Sequence, residues 1–120
     1  MNKTLMKVDK KGLYIDIEGE EVAQDYTSQE LFKFLECDKY NIQALETIQL
    51  TEVELAIYEE EGEADLYVNT YNYYPSGKLE LIDEEMKFIK TYKYISSARK
   101  TATKKALELE AKLNIHYSVS

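Results

Sequence analysis

The stretch LYVNTYNYYPSGKLELI, residues 66–82, contains the clearest strand–turn–strand pattern in the sequence. Aromatic and β-branched residues favour an extended strand over residues 66–74, and Tyr74-Pro75-Ser76-Gly77 places proline and glycine where a type I turn requires them. Residues 78–82 are then expected to return as the partner strand. The sequence therefore predicts a protein built at least partly on antiparallel strands.

Two further local patterns lie upstream of this hairpin. TLMKV and LYIDI, separated by DKKG, alternate apolar and polar residues and predict a hairpin over residues 4–18. A polar segment follows, and Ser28 then stands just before apolar residues at helical spacing. Because serine is a favoured N-cap, we expect a short helix over residues 28–36.

Residues 47–58 favour a strand whose apolar residues change sides part-way along. The apolar positions of the first half are Ile48 and Leu50, and those of the second half are Val53, Leu55 and Ile57. A β-bulge near Thr51-Glu52 would explain this change of phase, and a helix is the alternative interpretation. EEEGEAD, residues 59–65, then predicts a solvated acidic turn.

The carboxy-terminal third carries an apolar stripe at helical spacing. Its members are Phe88, Tyr92, Ile95, Ala98, Ala102, Ala106, Leu109 and Leu113. This spacing predicts a helix over residues 97–113, and Asp83-Glu84-Glu85 offers a capped start for a longer one. KFIKTYKYI is also rich in aromatic and β-branched residues, so residues 86–95 stay open between helix and strand.

Together these elements predict an α+β fold. Its strands are expected to be mainly antiparallel, with a barrel of the oligonucleotide-binding (OB) type as one arrangement. Its helices are expected to be a short one near residues 28–36 and a long one at the carboxy terminus. Because the 120-residue chain has no linker rich in Pro, Gly or Ser and no internal sequence repeat, we expect a single domain over residues 1–120.

Composition argues against several classes of protein. No apolar run approaches the ~18 residues of a membrane span, and the amino terminus lacks the apolar core of a signal peptide, so a cytoplasmic protein is expected. Cys37, the only cysteine, is expected to be a half-buried helix residue, and His116, the only histidine, a solvated terminal side chain. Without a nucleophile–base pair, metal set or cofactor loop, we expect no enzyme activity, no bound metal and no cofactor; metal chemistry on pairs of the 23 acidic residues is the alternative.

Charge is distributed unevenly along the chain, whose formal net charge is −8. Residues 1–76 contain 17 acidic and six basic residues, whereas residues 77–120 contain six acidic and nine basic residues, so the two segments carry −11 and +3. MKFIKTYKYISSARKTATKK, residues 86–105, contains seven basic residues and no acidic one. Such a run predicts a positively charged surface on an acidic body.

The strand period places four residues of LYVNTYNYY on one face, namely Tyr67, Asn69, Tyr71 and Tyr73. Tyrosine rings on a sheet can stack on unpaired bases while nearby lysines bind the phosphates. The alternative is that this face packs under the carboxy-terminal helix, where the tyrosine hydroxyl groups would still reach water.

SSARKTATKKALELEAKLNI, residues 96–115, is similar to the terminal helix of double-stranded-RNA-binding domains and of phage single-strand annealing proteins. The whole chain, with its short strands, lysines, tyrosines and terminal helix, resembles small single-stranded-DNA-binding proteins of phages that infect low-GC Gram-positive bacteria. This resemblance implies an OB barrel that binds single-stranded DNA without sequence preference in phage-type DNA replication or recombination, inside the host cytoplasm.

We therefore expect a nucleic-acid interface formed by tyrosines and basic residues. Its predicted members are Tyr67, Tyr71, Tyr73, Lys87, Lys90, Tyr92, Lys93, Arg99, Lys100, Lys104 and Lys105. The expected partner is single-stranded DNA, with host or phage replication proteins and a second copy of the chain as further partners. The alternative function is an acidic protein that binds and inhibits a host protein by mimicking nucleic acid, through the four glutamates of residues 59–63.

Overall fold

The computed structural model describes residues 3–88 and 95–117, and for residues 86–88 it describes the backbone only. Within these ranges the chain forms eight strands and two helices, which confirms the predicted α+β class. The strands are β1 (Thr4–Val8), β2 (Leu13–Ile17), β3 (Glu20–Gln24), β4 (Tyr40–Ala44), β5 (Ile48–Tyr58), β6 (Glu63–Tyr73), β7 (Leu79–Phe88) and β8 (Lys112–Tyr117), and the helices are α1 (Ser28–Leu35) and α2 (Ile95–Leu109).

The first four strands form sheet A, in the order β3-β2-β1-β4. β1 and β2 form the predicted hairpin, whose turn is closed because Asp9 Oδ1 accepts hydrogen bonds from Lys11 N (2.8 Å) and Gly12 N (3.0 Å). β3 pairs with β2 in antiparallel fashion, and the chain then passes through α1 to β4, which pairs in parallel with β1. Neither β3 nor β4 was predicted from the sequence.

The second four strands repeat this topology. β5, β6 and β7 form an antiparallel meander, α2 follows, and β8 pairs in parallel with β5, so sheet B has the order β7-β6-β5-β8. Each half of the chain is therefore a βββαβ unit whose last strand lies beside its first. This repetition exists in topology although the sequence shows no repeat. The predicted barrel is wrong, because the strands form two separate mixed sheets.

The strand β5 explains the change of phase that the sequence shows at residues 51–52. β5 pairs with β6 from Ile48 to Tyr58 without a register shift, so the predicted bulge and the helical alternative are both wrong. Its first half buries Ile48 and Leu50 in a core with α1 and sheet A, whereas its second half buries Leu55 on the opposite face, under α2. One regular strand therefore contributes to two cores.

The first core lies between sheet A, α1 and the beginning of β5. Its buried members are Met6, Val8, Leu13, Leu31, Phe32, Ala44, Ile48, Leu50 and Tyr73. The predicted short helix is confirmed, but its N-cap is Thr27, whose side chain accepts a hydrogen bond from Glu30 N (3.1 Å). Ser28 was the predicted cap, but its Oγ instead accepts a hydrogen bond from Thr51 N (3.0 Å). Thr51 lies on β5 just before the residues that pair with β8, so its N–H group is free to bond with Ser28. These contacts anchor α1 to sheet B.

The second core lies between α2 and one face of sheet B. Its buried members are Val53, Leu55, Ile57, Ala64, Leu66, Ala98, Ala102, Ala106 and Ala111. The predicted alanine stripe is therefore the buried side of α2, and the larger apolar residues of this core come from the sheet. The stripe ends before its predicted last members, because Leu109 is 39% exposed and Leu113 lies on β8.

The carboxy-terminal third differs from the prediction in three further ways. Residues 83–85 lie in β7 and do not begin a helix. β7 continues to Phe88, so residues 86–88 are strand, while residues 89–94 lie outside the described residues. The prediction of a long terminal helix is wrong, because α2 ends at Leu109 and β8 follows it to complete sheet B. Pairing between β8 and a strand distant in sequence is a tertiary contact, which local spacing does not report.

Candidate functional site

Sheet B leaves much of one face uncovered. α2 covers the face that contributes to the second core. On the other face, α1 and sheet A cover the end at which β5 begins, and beyond it Glu52, Asn69 and Ala56 are still buried while their neighbours are half-buried or exposed. At the covered end Phe32 meets the Tyr71 ring edge-on, with 5.7 Å between ring centroids, and Tyr73 donates a hydrogen bond to Ile42 O (2.8 Å). We call the remainder of this second face the open face.

Strand register arranges the residues of the open face in transverse rows. The first row is Lys112, Glu52, Asn69 and Glu84, the second is Asn114, Glu54 and Tyr67, the third is His116, Ala56 and Asp65, and the last is Tyr58 and Glu63. Because neighbouring strands are about 5 Å apart, the side chains of one row lie within reach of one another. The open face is therefore polar, and most of its charged residues are acidic.

A hydrogen-bonded network occupies the first two rows. Asn69 Nδ2 donates to Glu52 Oε1 and to Glu54 Oε1, both at 3.0 Å, and so joins two carboxylates of β5. Tyr71 OH donates to the same Glu52 Oε1 at 3.1 Å. Glu52 is 5% exposed and Asn69 is 2% exposed, so these bonds satisfy polar groups in the interior, while Asn69 Oδ1 is buried without a hydrogen-bond partner among the described residues.

Two basic side chains of β8 complete the network. His116 Nε2 lies 2.6 Å from Glu54 Oε2. Lys112 Nζ lies 3.8 Å from Glu52 Oε2 and also pairs with Glu36, which follows the last turn of α1. His116 is therefore a half-buried partner of a carboxylate, and the prediction of a solvated terminal side chain is wrong.

Tyr67 stands among carboxylates on the open face. Burial raises the pKa of its hydroxyl group above the ordinary value of 10.0, the charge of Asp65 raises it further, and Glu84 and Glu54 add to the shift. The rows of the open face hold five carboxylates, namely Glu52, Glu54, Glu63, Asp65 and Glu84, against the basic groups Lys112 and His116. A surface of this composition attracts cations and repels phosphate groups.

The structure confirms that Tyr67, Tyr71 and Tyr73 share one face of a strand. It is α1, and not the helix near the carboxy terminus, that lies over part of this face, so the alternative of burial under the later helix is wrong. Tyr73 is 5% exposed, and Tyr71 packs against Phe32 and donates to Glu52, so both rings are part of the folded interior. Of these three tyrosines, Tyr67 is the one on the open face.

The described basic residues of the predicted interface lie on the opposite side of sheet B. They belong to α2 and are Arg99, Lys100, Lys104 and Lys105. Lys100 and Lys104 are exposed, whereas Lys105 is half-buried and pairs with Glu108 (4.0 Å). The remaining members lie outside the described residues and are the side chain of Lys87 and the whole of Lys90, Tyr92 and Lys93. The described tyrosines and basic residues therefore do not form one groove.

The sequence patterns missed the carboxylates and cations of this network. A signal was present in β5, because its change of phase leaves Glu52 and Glu54 on the same side as Leu50 and so places carboxylates next to a core. The positions of Lys112 and His116 had no such signal, since they depend on the pairing of β8 with β5. Half of the network therefore becomes visible only in the folded chain.

Residues 3–88 and 95–117 were compared with the patterns of metal sites and of membrane-spanning helices. These residues contain no group of three or more His, Cys, Asp or Glu side chains that could hold a metal ion. Cys37 is half-buried but lies just beyond α1 and not within it. None of the described helices is long and apolar enough to cross a membrane.

Comparison of the chain with family models, with curated proteins and with solved structures gave no match. The resemblances of residues 96–115 and of the whole chain to nucleic-acid-binding proteins therefore stay predictions.

The substitution Tyr71→Phe is expected to make the protein less sensitive to alkaline pH. Burial, the charge of Glu52 and the hydrogen bond to Glu52 raise the pKa of Tyr71 from 10.0 to about 12. Because the folded state keeps this proton while the unfolded state loses it, the stabilisation is fully present below pH 10 and is lost as the pH rises towards about 12.

Chemical unfolding at a series of pH values tests this expectation. Between pH 10 and about 12 the unfolding free energy of the wild type should fall more steeply than that of Tyr71→Phe. Glu52→Gln removes one cause of the shift and should give an intermediate slope. Equal slopes for all three proteins would contradict the environment described for Tyr71.

Proposed function

We propose that this protein binds a basic surface of another protein, of the kind that ordinarily receives the phosphates of a nucleic acid. The observation that carries this proposal is the group of carboxylates beside Tyr67 on the open face, formed by Glu54, Asp65 and Glu84. The sequence offered this strand as one possible platform for bases, but the side chains around Tyr67 are mainly acidic, as a nucleic acid is, and not basic like a nucleic-acid-binding surface. A partner with exposed arginine or lysine residues has the complementary charge.

Arginine and lysine side chains suit the open face for two physical reasons. Carboxylates accept short, charge-assisted hydrogen bonds from both, and the ring of a half-buried tyrosine such as Tyr67 can attract a cation. Glu54 is already held by Asn69 and His116, so little side-chain freedom would be lost when a partner binds it. These features favour a specific contact over diffuse attraction between opposite charges.

The acidic turn between β5 and β6 extends the open face at its far end. Glu59, Glu60 and Glu61 are exposed in this turn, and Glu63 follows on β6 opposite Tyr58. The molecule is elongated, with extents of 54 × 26 × 24 Å, so it can present carboxylates along a length of surface, as a nucleic acid presents phosphates. The formal net charge of −8 would also accelerate the encounter with a basic partner.

Neutralising the open face is expected to weaken binding of a basic peptide by about tenfold or more. The test variant combines Glu54→Gln, Asp65→Asn and Glu84→Gln. The probe is a fluorescently labelled oligo-arginine peptide, titrated by anisotropy at low and at physiological salt. The matched control combines Glu18→Gln, Glu20→Gln and Glu21→Gln, which remove the same charge from exposed positions of sheet A and its β2–β3 turn.

The control separates the position of the charge from its amount. Because both variants lose three carboxylates, a larger loss of affinity in the open-face variant supports a defined binding surface. Equal losses in the two variants would mean that the peptide responds to net charge alone and would refute the proposal. Circular dichroism of each variant checks that the fold is retained.

A second candidate function is phosphate binding by α2. Lys100 and Lys104 are exposed and stand one helical turn apart, so one nucleic-acid strand could contact both. Glu108 is the single acidic residue of this helix. The predicted sequence-independent binding of single-stranded DNA would then use α2 and not Tyr71 and Tyr73, which pack in the first core.

The same titration, run with a labelled single-stranded oligonucleotide, separates the two candidates. If α2 binds phosphates, Lys100→Glu with Lys104→Glu should weaken binding and reduce its salt dependence, by about 0.7 in slope for each lost phosphate contact. Lys33→Glu with Lys39→Glu, at exposed positions outside α2, is the control. Absence of oligonucleotide binding by the wild type at low salt would exclude this candidate.

A further inference from the structure

A polar cleft lies where the two sheets meet, near the carboxy-terminal end of α2. It has a volume of about 590 Å³ and is lined by Lys10, Tyr26, Thr47, Ile48, Gln49 and Asn72. These residues come from the β1–β2 turn, the segment before α1, the region where β5 begins and the end of β6. The volume falls in the range of small-molecule sites, about 300–1,000 Å³. None of the lining residues belongs to the open face.

Asn72 supplies the observation that points to a ligand. Its Oδ1 atom is buried and has no hydrogen-bond partner in the part of the chain that the structure describes, while its Nδ2 donates to Tyr74 OH (3.2 Å). A buried acceptor without a donor is unfavourable, and because the Asn72 side chain lines the cleft, a rotation of its amide group would bring Oδ1 within reach of a ligand. A ligand of this cleft is therefore expected to present an N–H or O–H group to Asn72.

Two further residues of the cleft suit a nucleic-acid base: Gln49 can bond with the edge of the base, and Tyr26 can stack on its face. Gln49 is the cross-strand partner of Asn72, so two side-chain amides stand next to each other at this position. An amide acceptor beside an amide donor matches the amino group and ring nitrogen that adenine presents side by side. The half-buried ring of Tyr26 is held in place because its hydroxyl group donates to Asp9 O (2.8 Å), and this ring forms a wall on which a base can stack.

Lysines at the mouth of the cleft suit a phosphate group. A second lobe of about 390 Å³ shares Lys10, Tyr26 and Gln49 with the first and adds Lys11. Lys10 pairs with Glu46 at 3.6 Å, but both side chains are largely exposed, and such pairs contribute little, so Lys10 is available to an anion. Asp25 and Glu110 also line the second lobe, and their charge disfavours a ligand with several phosphates.

We propose that this cleft binds a nucleoside monophosphate, best matched by adenylate, with the base against Asn72, Gln49 and Tyr26 and the phosphate near Lys10. The same chemistry is offered by a free mononucleotide and by one nucleotide unit of a single strand. This site does not depend on the function proposed for the open face, because the two share no residue.

The test is a titration of the full chain with AMP, followed by calorimetry and by the side-chain amide signals of Asn72 and Gln49 in NMR spectra. Wild-type protein should bind AMP saturably, and more tightly than adenosine or ATP. Asn72→Leu should lower the affinity for AMP by about tenfold, because the hydrogen bond to the base is lost. Lys10→Gln should remove the preference for AMP over adenosine, whereas Lys39→Gln, at an exposed position outside the cleft, should leave it unchanged.

Titration with a short oligoadenylate distinguishes the two sources of the nucleotide. Stronger binding of the oligoadenylate than of AMP, weakened by Asn72→Leu, identifies a strand as the source, and equal binding identifies the free nucleotide. If Asn72→Leu does not fold, Lys10→Gln and the NMR shifts still decide the question. No saturable binding of either probe, or binding that neither variant changes, would overturn the proposal. Neither outcome alters the peptide titration of the open face.

Discussion

Replacing Leu55 with alanine is expected to lower the free energy of unfolding by about 2–5 kcal/mol, the range observed when a buried leucine is truncated. Leu55 is completely buried in the second core, between α2 and sheet B. The residues of α2 that are buried in this core are alanines, which have no alternative rotamers with which to fill a cavity. The expected loss therefore lies in the upper part of this range.

Urea unfolding followed by circular dichroism measures this effect. Leu107→Ala is the control, because Leu107 lies on α2 but is 69% exposed, and its change should stay within about 0.5 kcal/mol. Leu31→Ala tests the first core in the same way. Since β5 passes through both cores, each variant should shift a single transition and not split it. Two separate transitions would contradict the shared role of β5, and an unchanged Leu55→Ala would contradict the packing of α2.

Replacing Lys112 with methionine is expected to destabilise the fold by about 1–3 kcal/mol, because the buried Glu52 carboxylate would lose its nearby positive charge. Lys112 joins Glu36 of the first unit to the buried Glu52 of β5, and its ammonium group lies 5.1 Å from the centre of the Phe32 ring. Methionine keeps the apolar stem that packs in this position but removes the charge. Glu52 would then keep its bonds to Asn69 and Tyr71 but lose its nearby cation.

A double-mutant cycle isolates the charge interaction from the other effects of this substitution. Glu52→Gln removes the carboxylate charge, so Lys112→Met should cost much less in that background than in the wild type. Lys33→Met, which alters an exposed lysine of α1, is the control and should have little effect. Equal costs of Lys112→Met in the two backgrounds would contradict a stabilising interaction between Lys112 and Glu52, and would assign the loss to the contacts of the ammonium group with Glu36 and Phe32.

Elements that depend on neighbouring residues were predictable from the sequence. The β1–β2 hairpin, α1, β5 and the β6–β7 turn all occur where local patterns placed them. The turn is the clearest case, because Gly77 adopts a φ of +89° and donates a hydrogen bond to Tyr74 O (2.8 Å). Glycine accepts this left-handed conformation without strain, so a single residue type already predicts the chain reversal.

β3, β4 and β8 were not predicted. In β3 the apolar and polar residues do not alternate, and in β8 the apolar residues also fit the spacing of a helix. Every residue of β3 is exposed, so this edge strand shows no alternation of buried and exposed positions. β8 does alternate, with Leu113 and Ile115 directed towards the second core, but Leu113 also fits the helical spacing of the alanine stripe. β4 carried a usable signal in the alternation of Tyr40, Ile42 and Ala44, which the prediction did not use.

The candidate site shows the same division. The period of β6 was enough to place Tyr67, Tyr71 and Tyr73 on one face. It was not enough to show that α1 covers two of them, because α1 reaches this face through a chain segment distant in sequence. Nor could it show that Glu84 and His116 join the open face, since strand pairing decides which charges stand next to one another.

The sequence by itself determined the α+β class, the shared face of the tyrosines, the alanine side of α2 and the separation of acidic from basic residues along the chain. These properties follow from backbone preferences and from periods of two or 3.6 residues, which act over a few neighbouring positions. The tertiary structure alone decided that the topology is repeated, that β5 contributes to two cores, and that carboxylates and not lysines surround Tyr67. Burial and electrostatic fields sum over residues that are close in space, and closeness in space is fixed by strand pairing and helix packing between segments far apart in the chain.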